Sequence, residues 1–336
     1  MGIPTGFDPG KAHIAAQWNV GTSMVCCRVE PKGQFVYCGV QGPTIHRLAI
    51  ADGKNVPLTG GHDSWVFALA TTPNGGTLYS GGGDGRIVAW EIGLETPHLL
   101  RKTEAHQGWV RALATSTDGR LLASGGNDHA VRIWETATGR RLHDLGGHQG
   151  DVYSLAFEPS GQTLLSGDLL GSIRRWDLAT GREIGTFDAS ALHHHDGSQF
   201  VEFGGVRGLA TSTDGSLIAA GGLHKASNPL GAVSEPLVLV FDSRTRKIVR
   251  TLTADGITSG VVWNLSFLAD GSIVAASSGT SGGFLLFWKP GTDRSHHRLA
   301  LPNPVRDMNL HPDGLRVATA HHDGYLRLTR LASGHH

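Results

Sequence analysis

GHDSWVFALATTPNGGTLYSGGGDGRIVAWEI, residues 61–92, is followed at residues 105–136 by AHQGWVRALATSTDGRLLASGGNDHAVRIWET. A third version, GHQGDVYSLAFEPSGQTLLSGDLLGSIRRWDL, occupies residues 147–178. Each is a series of short apolar runs separated by Gly- and Asp-containing turns, and each starts 42 to 44 residues after the one before. A self-similar unit of that length is the mark of a propeller blade, which buries its apolar faces only by stacking against neighbours.

Working outward, an apolar anchor eight positions before a turn pair recurs at Met24, Val66, Val110, Val152, Val206, Val262 and Val305. The turn pairs are KG at Lys32, NG at Asn74, DG at Asp118, SG at Ser160, and DG at Asp214, Asp270 and Asp313. Such pairs favour tight hairpins because Gly, Asn and Asp accept positive φ. Three further runs follow each anchor run, so the count is seven units of four antiparallel strands. The blades fall at about 21–60, 61–104, 105–146, 147–188, 205–254, 260–301 and 302–331 plus 12–20. The last unit offers only VRDMNL, LRVATAHH and YLRLTRL after Val305. Its missing strand is expected from HIAAQWNV at His13, which would close the ring and remove an open sheet edge. The fold expected is all-β: a single seven-bladed propeller over residues 1–336, closed by an N-terminal strand completing the last blade.

Bulk properties narrow the function. The 336 residues carry 29 Lys+Arg and 29 Asp+Glu, a balance that lacks the broad positive field of nucleic-acid binding. No apolar run approaches the roughly 18 residues that cross a bilayer, and MGIPTGFDPGKAH does not read as a secretory leader. The three cysteines, Cys26, Cys27 and Cys38, sit in strand-like runs without CxxC spacing. Buried free thiols in a reducing cytoplasm are expected, and no metal or cofactor.

GH, an apolar strand, S-G-x-x-D and W-D/E recur in that order, and the chain from about residue 12 to 331 resembles the WD-repeat (β-transducin-like) propellers. The resemblance implies a hydrogen-bonded His–Ser–Asp–Trp relay inside each regular blade. The matching residues are His62, Ser80, Asp84 and Trp90 in unit two, and His106, Ser124, Asp128 and Trp134 in unit three. Unit four keeps His148, Ser166 and Trp176 but has Leu170 where the Asp belongs. Unit seven keeps Thr319 and Asp323, with Thr329 in place of the Trp and an apolar residue in place of the His; units one, five and six lack the relay. Ser, His and Asp together suggest a hydrolase triad. However, a catalytic site occurs once, and this set recurs with its Trp at the repeat spacing. It is therefore read as fastening.

The irregularities point to function. Successive anchors are 42, 44, 42, 54, 56 and 43 residues apart, so units four and five are too long. The surplus is ASALHHHDGSQFVEFGG, from Ala189, and LHKASNPLGAVSEP, from Leu223. In WD-repeat propellers the connections that hold these insertions emerge on one face, so both the 189–205 and 223–236 loops are expected there. The run His193, His194 and His195 is read as a solvated loop, because consecutive side chains rarely converge on one ion, and the terminal His335 and His336 as a tail. The resemblance also implies that partners sit on the residues flanking each anchor and preceding the blade Asp. Here these are Trp65, Phe67, Trp109, Arg111, Asn127, Asp151, Tyr153, Arg207, Trp263, Arg306 and His322. Trp, Tyr and Arg dominate interface hot spots, and guanidinium forks pair with carboxylate or phosphate. The expected function is a cytoplasmic, non-catalytic scaffold for a protein or peptide partner, the arginines suiting an acidic or phosphorylated one. The alternative is a hydrolase- or lactonase-like propeller enzyme with a metal at the central opening, using Asp151, Asn127, Asn264, Asp307 and His322. An exposed apolar outer strand would instead signal assembly through the sides.

Overall fold

The computed structural model describes residues 7–197, 201–228 and 233–332. Residues 1–6, the His335–His336 tail, and residues 198–200 and 229–232 inside the two insertions lie outside these. Seven four-stranded antiparallel sheets make up the ring. Their innermost strands are Met24–Val29, Val66–Thr71, Val110–Thr115, Val152–Phe157, Gly208–Thr211, Val261–Phe267 and Val305–Leu310. All but one of these begin within a residue of the anchor; in blade five the strand starts two residues after the buried Val206.

The repeat pattern has direct physical causes. Each of the seven turn glycines, from Gly33 to Gly314, adopts φ between 68° and 80°, a region an L side chain rarely enters. The second strand of a blade is covered on both faces, so LLASGG in Leu121–Gly126 is buried from its second residue onward. The outermost strand is covered on one face only, and His98–Glu104 alternates exposed and half-buried. The core lies between blades: Val110, Leu113 and Trp134 pack with Tyr79, Ile87 and Ala89 of the preceding blade. The anchors explain the small residue after the relay Ser. A Cβ on Gly81 would lie 2.6 Å from Val110 Cγ1, and one on Gly125 equally close to Val152 Cγ1. Blades can nest at this distance only if the position carries no side chain.

Ring closure is as expected. His13–Asn19 pairs antiparallel with Tyr325–Arg330, from His13↔Arg330 to Asn19↔Tyr325, and completes the seventh sheet. The two insertions are not loops. The first forms a short hairpin, His193–Asp196 against Val201–Gly204. The second lengthens the middle strands of blade five into Leu217–Asn228 and Val233–Asp242. Pairing continues to Leu223↔Pro236 and His224↔Glu235, so Pro236 is accommodated inside the extended pair. No helix among the described residues is long and apolar enough to cross a membrane.

Candidate functional site

The site is set by a defect repeated in six of the seven inner strands. In blade two Val66 pairs with Gly82 and Ala68 with Gly81, so Phe67 between them is skipped. The same bulge follows the anchor in blades one, three, four, six and seven, skipping Val25, Arg111, Tyr153, Trp263 and Arg306. In blade five Arg207 precedes the strand, and its N–H donates to the Gly221 carbonyl at 2.8 Å. A bulge re-aims the side chain it frees, and here all seven lie around the mouth of the central opening. From blade two to blade seven the order is Phe67, Arg111, Tyr153, Arg207, Trp263, Arg306. Aromatic and guanidinium side chains alternate without a break, and Val25 fills the seventh place.

The alternation is a stack. Arg111 Cζ lies 5.0 Å from the Phe67 ring centre, 5.3 Å from Tyr153 and 4.2 Å from Trp109. Arg207 lies 3.8 Å from Tyr153 and 5.7 Å from Trp263, and Arg306 lies 5.1 Å from Trp263 on its other side. Phe67 stacks on Trp109 at 4.7 Å and meets Trp65 at 6.0 Å. Trp65 and Trp109 are 43% and 41% exposed, so the belt has an open aromatic sector on blades two and three. Trp263 is half-buried, and its indole N–H donates to Ser278 Oγ at 3.0 Å.

Below the belt the next wall positions are small: Ala68, Ala112, Ser154 and Gly208. A cavity of about 530 Å³ remains along the axis, within the range of ligand sites. Arg28, Asn264 and Asp307 also line it; Arg28 was absent from the residues expected from sequence. Asp307 joins three blades, accepting from Cys27 N at 2.9 Å, Asn264 Nδ2 at 2.7 Å and Met308 N at 2.8 Å. Burial pushes its carboxyl up from the usual range, with Arg28 opposing. Burial likewise lowers the pKa of Arg111, Arg207 and Arg306, and Arg207 adds repulsion to the other two. None of the three forms an ion pair with a described residue.

Trp65, Phe67, Arg111, Tyr153, Arg207, Trp263 and Arg306 line the cavity directly, and Trp109 flanks it through its stack. Asn127, Asp151 and His322 do not line it. Asn127 Oδ1 accepts from Arg111 Nε at 2.8 Å and so holds that side chain. Asp151 faces His129 Nε2 at 3.5 Å on the rim, and His322 is exposed. The first insertion reaches the belt, because Arg207 Nε donates to the carbonyl of Gly204 at 2.7 Å. On that insertion Glu202 stands between His193 and His195, within hydrogen-bond distance of both. No group of three His, Cys, Asp or Glu among the described residues is placed to hold a metal ion.

The relay is present and buried. Trp90 Nε1 donates to Ser80 Oγ at 2.9 Å, Ser80 Oγ meets His62 Nε2 at 2.8 Å, and His62 Nδ1 faces Asp84 at 3.1 Å. In blade three the corresponding distances are 2.9, 2.8 and 2.7 Å. Burial alone would raise the Asp128 carboxyl, but hydrogen bonds from His106 and Arg132 outweigh it and hold the group well below its usual range. Two expectations are corrected. Blade four does not lack its carboxylate: Asp168 Oδ2 lies 2.7 Å from His148 Nδ1, while Trp176 and Ser166 keep their places. Blade seven does not lack a His: His321 Nε2 lies 2.8 Å from Thr319 Oγ1. Both come from the position two residues after the relay hydroxyl, which is Gly82 in blade two. A Cβ built there would abut Asp84 Oδ1 and His62 Nδ1, so a side chain from this position grows into the relay slot.

A seven-bladed ring with buried fastenings and a stacked mouth is a repeat-built platform. Four segments, residues 53–91, 97–135, 139–177 and 292–329, match the family described as WD domain, G-beta repeat. The chain is a WD-repeat propeller. It is also similar to the periodic tryptophan protein 2 homolog of Neurospora crassa, with 37% identity over 71 residues. That stretch covers 21% of this chain and 8% of the relative's length.

Proposed function

We propose that the chain is a non-catalytic interaction scaffold that holds a protein or peptide partner across the mouth, on the face carrying both hairpins. The observation that carries this is the unbroken Phe67–Arg111–Tyr153–Arg207–Trp263–Arg306 belt, extended outward by exposed Trp65 and Trp109. Exposed aromatics offer large contact area at low entropic cost, and guanidiniums add orientation. The partner is acidic or phosphorylated, in keeping with three arginines that form no ion pair among the described residues. The enzyme alternative gains nothing from the geometry, because Asn127, Asp151, Asn264, Asp307 and His322 do not converge on one point. The three buried free thiols suit a reducing cytoplasm. Affinity capture with wild type and a Trp109→Ala/Arg207→Ala variant tests the reading. Loss of specific partners from the variant supports it, and identical partner sets rule this face out.

A further inference from the structure

We propose that the mouth recognises a phosphate group, bound jointly by Arg111, Arg207 and Arg306; this rests on the face proposed above and names the chemistry it reads. The first argument is a count of unused donors. Among the described residues Arg111 donates through Nε to Asn127, Arg207 donates through Nε to Gly204 with the Tyr153 side chain as a further partner, and Arg306 makes no hydrogen bond. Guanidinium donors of all three therefore remain without a protein acceptor among the described residues. None of these nitrogens is among the buried atoms that lack a partner, so they remain open to an anion entering the mouth.

The second argument is charge. Three cations face one mouth in a chain whose formal net charge is zero, so the positive field is local and concentrated by the concave wall. The carboxylate inside the cavity does not cancel it. Asp307 is committed to Cys27, Asn264 and Met308, and its electrostatic counterpart is Arg28. Arg28 lies three residues further along its strand than the belt position, roughly 10 Å deeper at about 3.3 Å per residue. Asp151, whose charge acts on Arg111 and Arg207, is shared with His129 on the rim.

The third argument chooses between anions. A carboxylate carries one charge and fills one guanidinium fork, leaving two arginines unanswered. A phosphomonoester carries close to two charges and three strong acceptor oxygens, enough for several forks at once. Stacking against the neighbouring rings holds each guanidinium in place before a ligand arrives. The small residues beneath the belt leave room for the group to descend between them.

The test is calorimetric titration at fixed ionic strength with three probes. They are inorganic phosphate, a short Gly/Ala peptide with one central phosphoserine, and the same peptide with Glu at that position. Phosphate and the phosphopeptide are expected to bind, the Glu peptide about tenfold or more weaker. Arg207→Gln and Arg306→Gln are each expected to weaken phosphate binding by about tenfold or more. Arg306 has no hydrogen bond to lose among the described residues, so its variant separates binding from folding. A Glu peptide as tight as the phosphopeptide, silence from all three probes, or phosphate affinity unchanged in both variants overturns the inference. If partner capture still depends on Trp109 and Arg207 in that case, the face stands and only the phosphate chemistry falls. If capture shows no such dependence, both fall.

Discussion

Asp168 Oδ2 lies 2.7 Å from His148 Nδ1, so blade four draws its relay carboxylate from two residues earlier in the chain than blades two and three do. The carboxylate also accepts from Leu170 N at 3.0 Å and Ser172 N at 2.8 Å, the turn contacts that Asp84 makes to Arg86. The slot, and not the column in an alignment, is what the fold requires. Asp168→Ala should cost about 1–3 kcal/mol, because buried His148 loses its acceptor. A transplant checks the reason. Asp84→Ala in blade two should be similarly destabilising, and Gly82→Asp added to it should recover most of the loss in a denaturant titration. No recovery would show that the two positions are not equivalent.

The closing strand makes a larger demand. His13–Asn19 completes the seventh sheet, with Ile14, Ala16 and Trp18 packed against the core. Removal of residues 1 to 20 exposes that face and leaves Tyr325–Arg330 as an open edge. The melting temperature should fall by on the order of 10 °C or more. An unchanged value in a thermal scan would refute closure by this strand.

Acid should loosen the ring in two stages. Burial, helped by Arg327, pushes His321 down to about 4, and burial lowers His62 as well. A His with a folded pKa below its unfolded value near 6.5 binds its proton more tightly when unfolded. Stability is therefore full above about pH 7 and declines as pH falls from about 6.5 toward 4, by up to about 3 kcal/mol for His321. Asp84, Asp128 and Asp323 are held below the usual carboxylate range, so their contribution is lost below about pH 4. Denaturation at a series of pH values should show the first decline reduced in His321→Gln and the second retained.

The fold was readable because its causes are local. A turn pair needing positive φ, a Gly where the next blade's Val nests, and a Ser–Trp spacing set by one sheet all leave marks within a few dozen residues. The mouth was readable by position but not by arrangement. Phe67, Arg111, Tyr153, Arg207, Trp263 and Arg306 stand 42 to 56 residues apart, and the backbone break after each anchor, a bulge in every blade but the fifth, turns them into one stack. Asp168 and His321 escaped because a side chain from either of two backbone positions can reach the same slot. Arg28 and the Asp307 contact to Cys27 escaped because they join segments 280 residues apart across the closure. The insertions were placed by the excess anchor spacing, which reports extra length but not that the extra residues pair as strands, as at Leu223↔Pro236.

Partners are expected on the belt face and not on the opposite one. A photoreactive benzophenone side chain substituted at Trp109, and in a separate variant at Asp118 in the first turn of the same blade, reports on the two ends of one inner strand. Irradiation in lysate should give a discrete cross-linked partner from position 109 and none from position 118. Cross-linking from position 118 with none from 109 would contradict the account.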